Sequence, residues 1–232
     1  MALKILDWDS DFFGLKIANL DISTHTPSSS FKADNIDLIQ CCIEKKNKEH
    51  TNFLINNGFS YIDDRVEYIL EVPQLNNFEN SNIKLATKSD LNSLLKISNG
   101  LFTKDSRYNW NNIIPSSKID EFYNLWLEKS VKGEFDDFCF IYEKNGEIIG
   151  FSTIRKIDDK NISIGLIGVK QENHGQGIAQ KLIQQIINYT HNNNFTSINV
   201  ATEGKNLSAQ KFYDKNEFRV NSIKSWYYKI CN

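Results

Sequence analysis

The segment Gly165-Leu166-Ile167-Gly168-Val169, followed by a short polar stretch and then His174-Gly175-Gln176-Gly177-Ile178-Ala179, constrains this chain more than any other. An apolar strand runs into a polar loop with two closely spaced glycines. An amphipathic helix follows, with Ile178, Leu182, Ile183, Ile186 and Ile187 on one face. That order builds a cradle for phosphate. Glycines let the chain turn sharply and let a ligand approach the backbone. The free N–H groups and the positive dipole end of the helix then face the anion.

The surrounding pattern fixes where the cradle sits. Residues 15–22 alternate as a strand does, 24–30 form a Ser/Thr/Pro loop, and 36–43 read as a strand with a helix as the alternative. Residues 48–57 read as a helix and 60–72 as a long strand. The polar stretch 74–81 reads as a linker. Beyond it come a strand at 83–86, a helix capped by Ser89, and a loop carrying Arg107, Tyr108 and Trp110. Ile119, Phe122, Tyr123, Trp126, Leu127 and Val131 then fall at helical spacing. Strands at 138–143 and 147–156 are joined by an Asn145-Gly146 hairpin turn. A strand at 162–169, the cradle helix, a strand at 197–201, a short helix from Leu207 and a strand at 225–230 complete the chain. The order β-α-α-β-β-β-α-β-α-β is an antiparallel meander feeding one βαβ crossover. It predicts an α+β fold with a mixed, mainly antiparallel sheet flanked by helices.

An internal echo accompanies this layout. A gapless shift of 159 residues aligns 39–68 with 198–227 and matches Ile39/Ile198, Glu44/Glu203, Lys46/Lys205, Asn47/Asn206, Phe53/Phe212, Asn57/Asn216, Phe59/Phe218 and Tyr68/Tyr227. Each copy reads as strand, Asn, helix, turn, strand. The first copy has Leu54 where the second has Tyr213, and no glycine cradle precedes it. The expected organisation is a degenerate, non-catalytic half over 1–75, a linker over 76–82 and a catalytic domain over 83–232.

Bulk properties exclude several classes. A net charge of -2 leaves no electrostatic footprint for nucleic acid. No apolar run is long enough to span a bilayer, and residues 1–9 lack the pattern of a secretory signal. Cys41, Cys42, Cys139 and Cys231 show no metal-ligand spacing. They read as reduced thiols of a cytoplasmic protein.

The cradle admits three ligands. A Walker loop needs Gly-Lys-Ser/Thr where Ile178-Ala179 stand, and is rejected. A dinucleotide fingerprint has its third glycine replaced by Gln180. Glu203 lies at a plausible ribose distance, but too little chain follows for a doubly wound sheet. The third ligand is coenzyme A. Residues 174–179 resemble the Q/R-x-x-G-x-G/A signature of the GNAT superfamily of N-acetyltransferases, with His174 in place of Gln or Arg. The resemblance covers 83 to the end. Over nearly the whole chain, Trp8-Asp9-Ser10-Asp11-Phe12-Phe13-Gly14, Ser106-Arg107, Val200-Ala201-Thr202, Asn206, Tyr213 and Trp226-Tyr227-Tyr228 resemble bacterial nucleotide-aminosugar N-acetyltransferases.

The resemblance implies acetyl transfer from acetyl-CoA to the amine of a nucleotide-linked 4-amino-4,6-dideoxyhexose, for surface polysaccharide. It also implies a homodimer. Gly175, Gln176, Gly177, Ile178 and Ala179, with His174, would hold the pyrophosphate. Leu166, Ile167, Gly168 and Val169 would pair with the pantetheine amides and supply an oxyanion donor. Asn206 would contact coenzyme A while capping its helix. Tyr213 is the implied general acid: a phenol of pKa about 10 stays protonated at neutral pH and donates to the leaving thiolate. Arg107, Tyr108 and Trp110 are candidates for the nucleotide sugar. Glu203 and Asp105 are possible general bases, but lone carboxylates usually read as solvated surface, and the direct route with a neutral amine, which needs no strong base, is favoured. Another amine acceptor, such as a protein N-terminus or a different aminosugar, stays open. So does a non-catalytic coenzyme-A-binding module, which Tyr213 argues against. No metal is expected.

Overall fold

The computed structural model describes residues 2–22, 35–72 and 80–231. The expected loop at 24–30 and most of the expected linker lie outside the described residues. The elements are β1 (Ala2–Ile5), α1 (Asp7–Phe13), β2 (Ile17–Asp21), β3 (Leu38–Glu44), α2 (Lys48–Asn56), β4 (Ser60–Glu71) and β5 (Ile83–Leu85). Then follow α3 (Leu91–Ser98), α4 (Ser116–Val131), β6 (Phe138–Lys144), β7 (Glu147–Lys156), β8 (Asn161–Val169), α5 (Ile178–Asn192), β9 (Ser197–Glu203), α6 (Leu207–Lys215) and β10 (Arg219–Ile230). From β5 onward the order is the expected one, and the fold is α+β.

Local chemistry explains most boundaries. Asn145 (φ 54°) and Gly146 (φ 80°) both take positive φ, as the tight hairpin between β6 and β7 requires. Ser89 does not cap the helix after β5. Thr87 and Asp90 form a capping box over a short 3₁₀ turn that leads into α3. The ridge of α5 buries Ile178, Leu182, Ile183 and Ile186 against Phe140, Ile149, Ile154 and Ile164 of the sheet. Each such burial contributes about 1.5–3 kcal/mol. A second cluster joins Leu94 of α3 and Leu127 of α4 to Ile141, Ile148 and Phe151.

Among the described residues the sheet has ten strands in the order β1-β2-β3-β10-β4-β9-β8-β7-β6-β5, so the last strand inserts between β3 and β4. Its register obeys the 159-residue shift pair by pair. Arg65 pairs with Lys224, and the shift exchanges these two residues. Val66↔Ile223 becomes Ser225↔Asp64, and Tyr68↔Val220 becomes Tyr227↔Tyr61. Arg65↔Glu203 between β4 and β9 becomes Lys224↔Glu44 between β10 and β3. Each central strand carries one bulge, skipping Ile62 on β4 and Asn221 on β10. A local two-fold axis therefore crosses the sheet between Arg65 and Lys224, because an antiparallel pair is symmetric about its centre.

The echoed residues are the ones this geometry needs twice. Asn47 and Asn206 cap α2 and α6, their Oδ1 atoms accepting from the His50 and Ala209 amides at 3.0 Å. Asn57 and Asn216 close the same helices by donating to the Phe53 and Phe212 carbonyls at 2.9 and 2.7 Å. The Phe59 and Phe218 amides donate to the Leu54 and Tyr213 carbonyls at 3.0 and 3.1 Å, which starts each second strand.

Candidate active site

Two parallel strands separate to make the site. The ladder between β8 and β9 ends at Ile164↔Val200, yet β8 runs on to Val169 and β9 to Glu203. Thr153 sits in a bulge of β7, and its Oγ1 accepts the Leu166 N–H at 2.8 Å. Gly165 permits this turn. A Cβ there would strike the buried Asp136 carboxylate and come within 2.7 Å of Thr153 Oγ1. Asp136 is itself held by Trp126 Nε1, Ser130 Oγ and Arg155 Nε at 2.8, 3.0 and 3.1 Å. Residues 165–169 thus leave an unpaired strand edge facing β9, the kind of edge to which an extended amide chain adds as a strand.

The cradle closes one end of the gap. Gly175 (φ 76°) and Gly177 (φ 74°) are left-handed, and Gly177 caps α5 with no side-chain partner. The first amides of α5 are therefore free of helical acceptors and available to an anion. His174 Nε2 lies 2.8 Å from the Val169 carbonyl, which ties the loop to the end of β8. A cavity of about 510 Å³ follows the gap, lined by Ile167, Gly168, Val169, His174, Gly175, Gly177, Ile178, Ala179, Asn206 and Tyr213. Of the residues expected to hold the cofactor, Leu166 lines the neighbouring cavity and Gln176 lines neither.

The neighbouring cavity holds about 290 Å³ and is walled by Arg65, Ser106, Arg107, Tyr108, Leu166, Ala201 and Glu203. Arg107 is the anchor of its loop. Its guanidinium lies 4.1 Å from the Trp226 ring and 4.2 Å from the Tyr108 ring. It donates to the Tyr228 and Tyr108 hydroxyls at 2.8 and 2.7 Å. Trp110 lies outside both cavities, packed edge-on against Tyr228. The aromatic run near the start of the chain has a packing role. Phe13 meets Tyr108 and Phe122 at 5.1 and 5.7 Å between ring centroids, pinning α1 against this loop and α4.

The two cavities meet at Leu101, Phe102, Asp105, Ile167, Asn206, Ala209 and Tyr213, which line both. Tyr213 is 3% exposed, packed among Tyr68, Phe212 and Phe218. Burial holds its phenol well above the ordinary value, so it is protonated throughout the physiological range.

Glu203 is not the solvated carboxylate that its sequence context suggests. Its Oε2 is buried and has no hydrogen-bond partner among the described residues. Burial raises its pKa, opposed by the Arg107 charge and by the Arg107 N–H that donates to it. The sequence hides this because the covering loop lies about a hundred residues upstream.

Residues 105–218 match the acetyltransferase (GNAT) family. The chain is 38% identical over 106 residues to the 5-NmdU N-acetyltransferase of Pseudomonas phage PaMx11, spanning 45% of this chain and 74% of that protein. The chain belongs to the GNAT family: it is an acetyltransferase, and its acetyl donor is acetyl-CoA. It is also 27% identical over 230 residues, 98% of both chains, to the dTDP-fucosamine acetyltransferase of Escherichia coli O6:H1. In fold it is similar to a GCN5-related N-acetyltransferase from Sphaerobacter thermophilus, with a TM-score of 0.58 and 15% identity, over 83% of this chain and 59% of that one.

Proposed function

We propose that the acceptor is the amine of a nucleotide-linked 4-amino-4,6-dideoxyhexose, acetylated for a surface polysaccharide. The meeting of the two cavities at Tyr213 carries this reading, since donor and acceptor then approach one another beside a proton donor. The near full-length similarity to a dTDP-fucosamine acetyltransferase supports the choice of acceptor. The amino-terminal half acts as a non-catalytic copy of the second unit, with Leu54 in place of the phenol.

Acetyl-CoA enters with its pyrophosphate on the amides of Gly175–Ala179 and its pantetheine along 166–169. The backbone N–H of Ile167 or Gly168 polarises the thioester carbonyl. The buried carboxylate of Glu203, its Oε2 unpartnered among the described residues, replaces the expected unassisted attack by a neutral amine: the acceptor amine, arriving as an ammonium ion, gives its proton to Glu203 and attacks. The C–N bond forms, the C–S bond breaks, and Tyr213 protonates the departing thiolate. The proton lost by the acetylated nitrogen restores Tyr213, and Glu203 releases its proton to solvent. A site that excludes water favours each transfer, because a lone thiolate or ammonium is poorly stabilised there.

The test is a coenzyme A release assay on dTDP- and UDP-linked 3-amino and 4-amino sugars. Turnover of a dTDP-linked 4-amino sugar at least about tenfold above the others, in kcat/KM, is expected. Acetylation of peptide N-termini with no turnover of any nucleotide sugar would sink the reading.

A further inference from the structure

The two-fold axis that relates the two units also generates a third cavity. Cys42, Glu44, Asn47, His50, Lys224 and Trp226 wall a space of about 520 Å³ in the amino-terminal half. The 159-residue shift carries Cys42 onto Ala201, Glu44 onto Glu203, Asn47 onto Asn206 and His50 onto Ala209. This cavity is therefore the symmetry copy of the acceptor end of the active site. It lacks the chemistry, because Leu54 stands at the place of Tyr213. What it has instead is charge and flat rings.

Arg65 lines both this cavity and the acceptor cavity. Trp226, on its wall, stacks on Arg107, which walls the acceptor cavity. The two spaces are thus neighbours across Arg65 and the Trp226–Arg107 stack. Along one row of the sheet stand Glu44, Lys224, Arg65 and Glu203, paired neighbour to neighbour. The two cations at the centre of that row directly oppose one another, an arrangement that repels unless an anion lies against it. Glu67 supplies one such anion from the side, with Arg65 Nε at 2.8 Å and Lys224 Nζ at 3.1 Å. Both cations keep more than a third of their side-chain surface exposed, so they have room for a second anion.

The acceptor cavity, about 290 Å³, sits at the lower bound of small-molecule sites. It takes a hexose ring and leaves a nucleoside diphosphate outside. On the donor side the space belongs to acetyl-CoA. Arg65 lines the acceptor cavity and the amino-terminal cavity alike.

We propose that the amino-terminal cavity binds the nucleoside diphosphate of the acceptor, with Arg65 and Lys224 on the diphosphate and Trp226 and His50 flanking the base. The degenerate copy of the site has become the handle for the substrate, and holds it so that the sugar amine reaches Glu203. This rests on the acceptor being nucleotide-linked.

The probe is dTDP, titrated calorimetrically into the full chain and tested as an inhibitor. Binding of dTDP competitive with the acceptor and not with acetyl-CoA is expected. Lys224→Ala weakens dTDP binding about tenfold, and Lys224→Arg restores it, since either cation serves a diphosphate. The same Lys224→Ala change lowers the preference for nucleotide-linked over free aminosugar by about the same factor. Equal dTDP affinity in wild type and Lys224→Ala, with both folded by circular dichroism, overturns the proposal. So does dTDP competing with acetyl-CoA. If no aminosugar is acetylated, the reading of the acceptor fails, while the calorimetry still decides whether this cavity is a nucleoside diphosphate site.

Discussion

Arg65 and Lys224 stand opposite one another on β4 and β10, on the local two-fold axis of the sheet, and both are held by Glu67. The arrangement makes Glu67 the counterion of a like-charge pair. Burial alone would raise its carboxyl, but hydrogen bonds from Ser222, Arg65 and Lys224 more than offset this and hold it at about 2, below its ordinary 4.5. A depressed carboxylate contributes stability that is complete above its unfolded value and is lost as pH falls through the folded one. Acid unfolding followed by circular dichroism is expected to show a loss between pH 4.5 and 2. Glu67→Gln removes that component and costs about 1–3 kcal/mol at neutral pH. An unchanged midpoint and acid limb in Glu67→Gln would show that the two cations do not need it.

Tyr213→Phe keeps the ring contacts with Tyr68, Phe212 and Phe218 and removes only the hydroxyl. The melting temperature is expected to stay within a few degrees of wild type. The value of kcat is expected to fall by about 10²–10⁴, the usual contribution of a positioned acid. Retained kcat would remove Tyr213 from the chemistry and leave it as a core residue.

The glycine cradle predicts a different kinetic signature. Among the described residues, apart from its chain neighbours, no atom lies within 4 Å of a Cβ placed on Gly175 or Gly177, so packing does not forbid a side chain. The backbone does, because both residues are left-handed. Valine at either position costs about 1–3 kcal/mol of local strain or turns the amides away from the anion. The acetyl-CoA KM is expected to rise about tenfold or more in initial-rate measurements, with the acceptor KM little moved. A rise confined to the acceptor KM would place the cradle outside the donor site.

The same contrast explains what the sequence made legible. The strand, cradle and α5 are contiguous, and Gly175, Gly177 and the Ile178–Ile186 ridge announce them within about twenty residues. The echo of Asn47 and Asn57 in Asn206 and Asn216 was visible because caps and turn closures depend on side-chain type. The insertion of β10 between β3 and β4 left no such trace, since pairing across a long chain separation is written in no local pattern. Helix α1 was missed because it is seven residues long, has no side-chain cap and buries no residue. The place of Arg107 was half-legible. Its charge marked it as a candidate, but its sandwich between Tyr108 and Trp226 joins residues more than a hundred positions apart.

As the proposed proton acceptor, Glu203 sets an expected pH dependence. Its carboxyl is raised by burial, with the Arg107 charge acting against that rise, and its Oε2 has no partner among the described residues. A proton acceptor works only when ionised. With a raised pKa, the protonated and inactive form persists to higher pH than for an exposed glutamate. The wild-type kcat/KM for the acceptor is therefore expected to climb with pH through the Glu203 ionisation and then level off. Glu203→Gln has no such ionisation. It is expected to lose about 10² in kcat/KM at neutral pH and to regain activity only as the acceptor amine itself deprotonates. The acetyl-CoA KM should move little, since Glu203 lines the acceptor cavity and not the donor one. A variant profile parallel to wild type, displaced by a constant factor, would mean that Glu203 orients the ammonium group and that the amine loses its proton elsewhere.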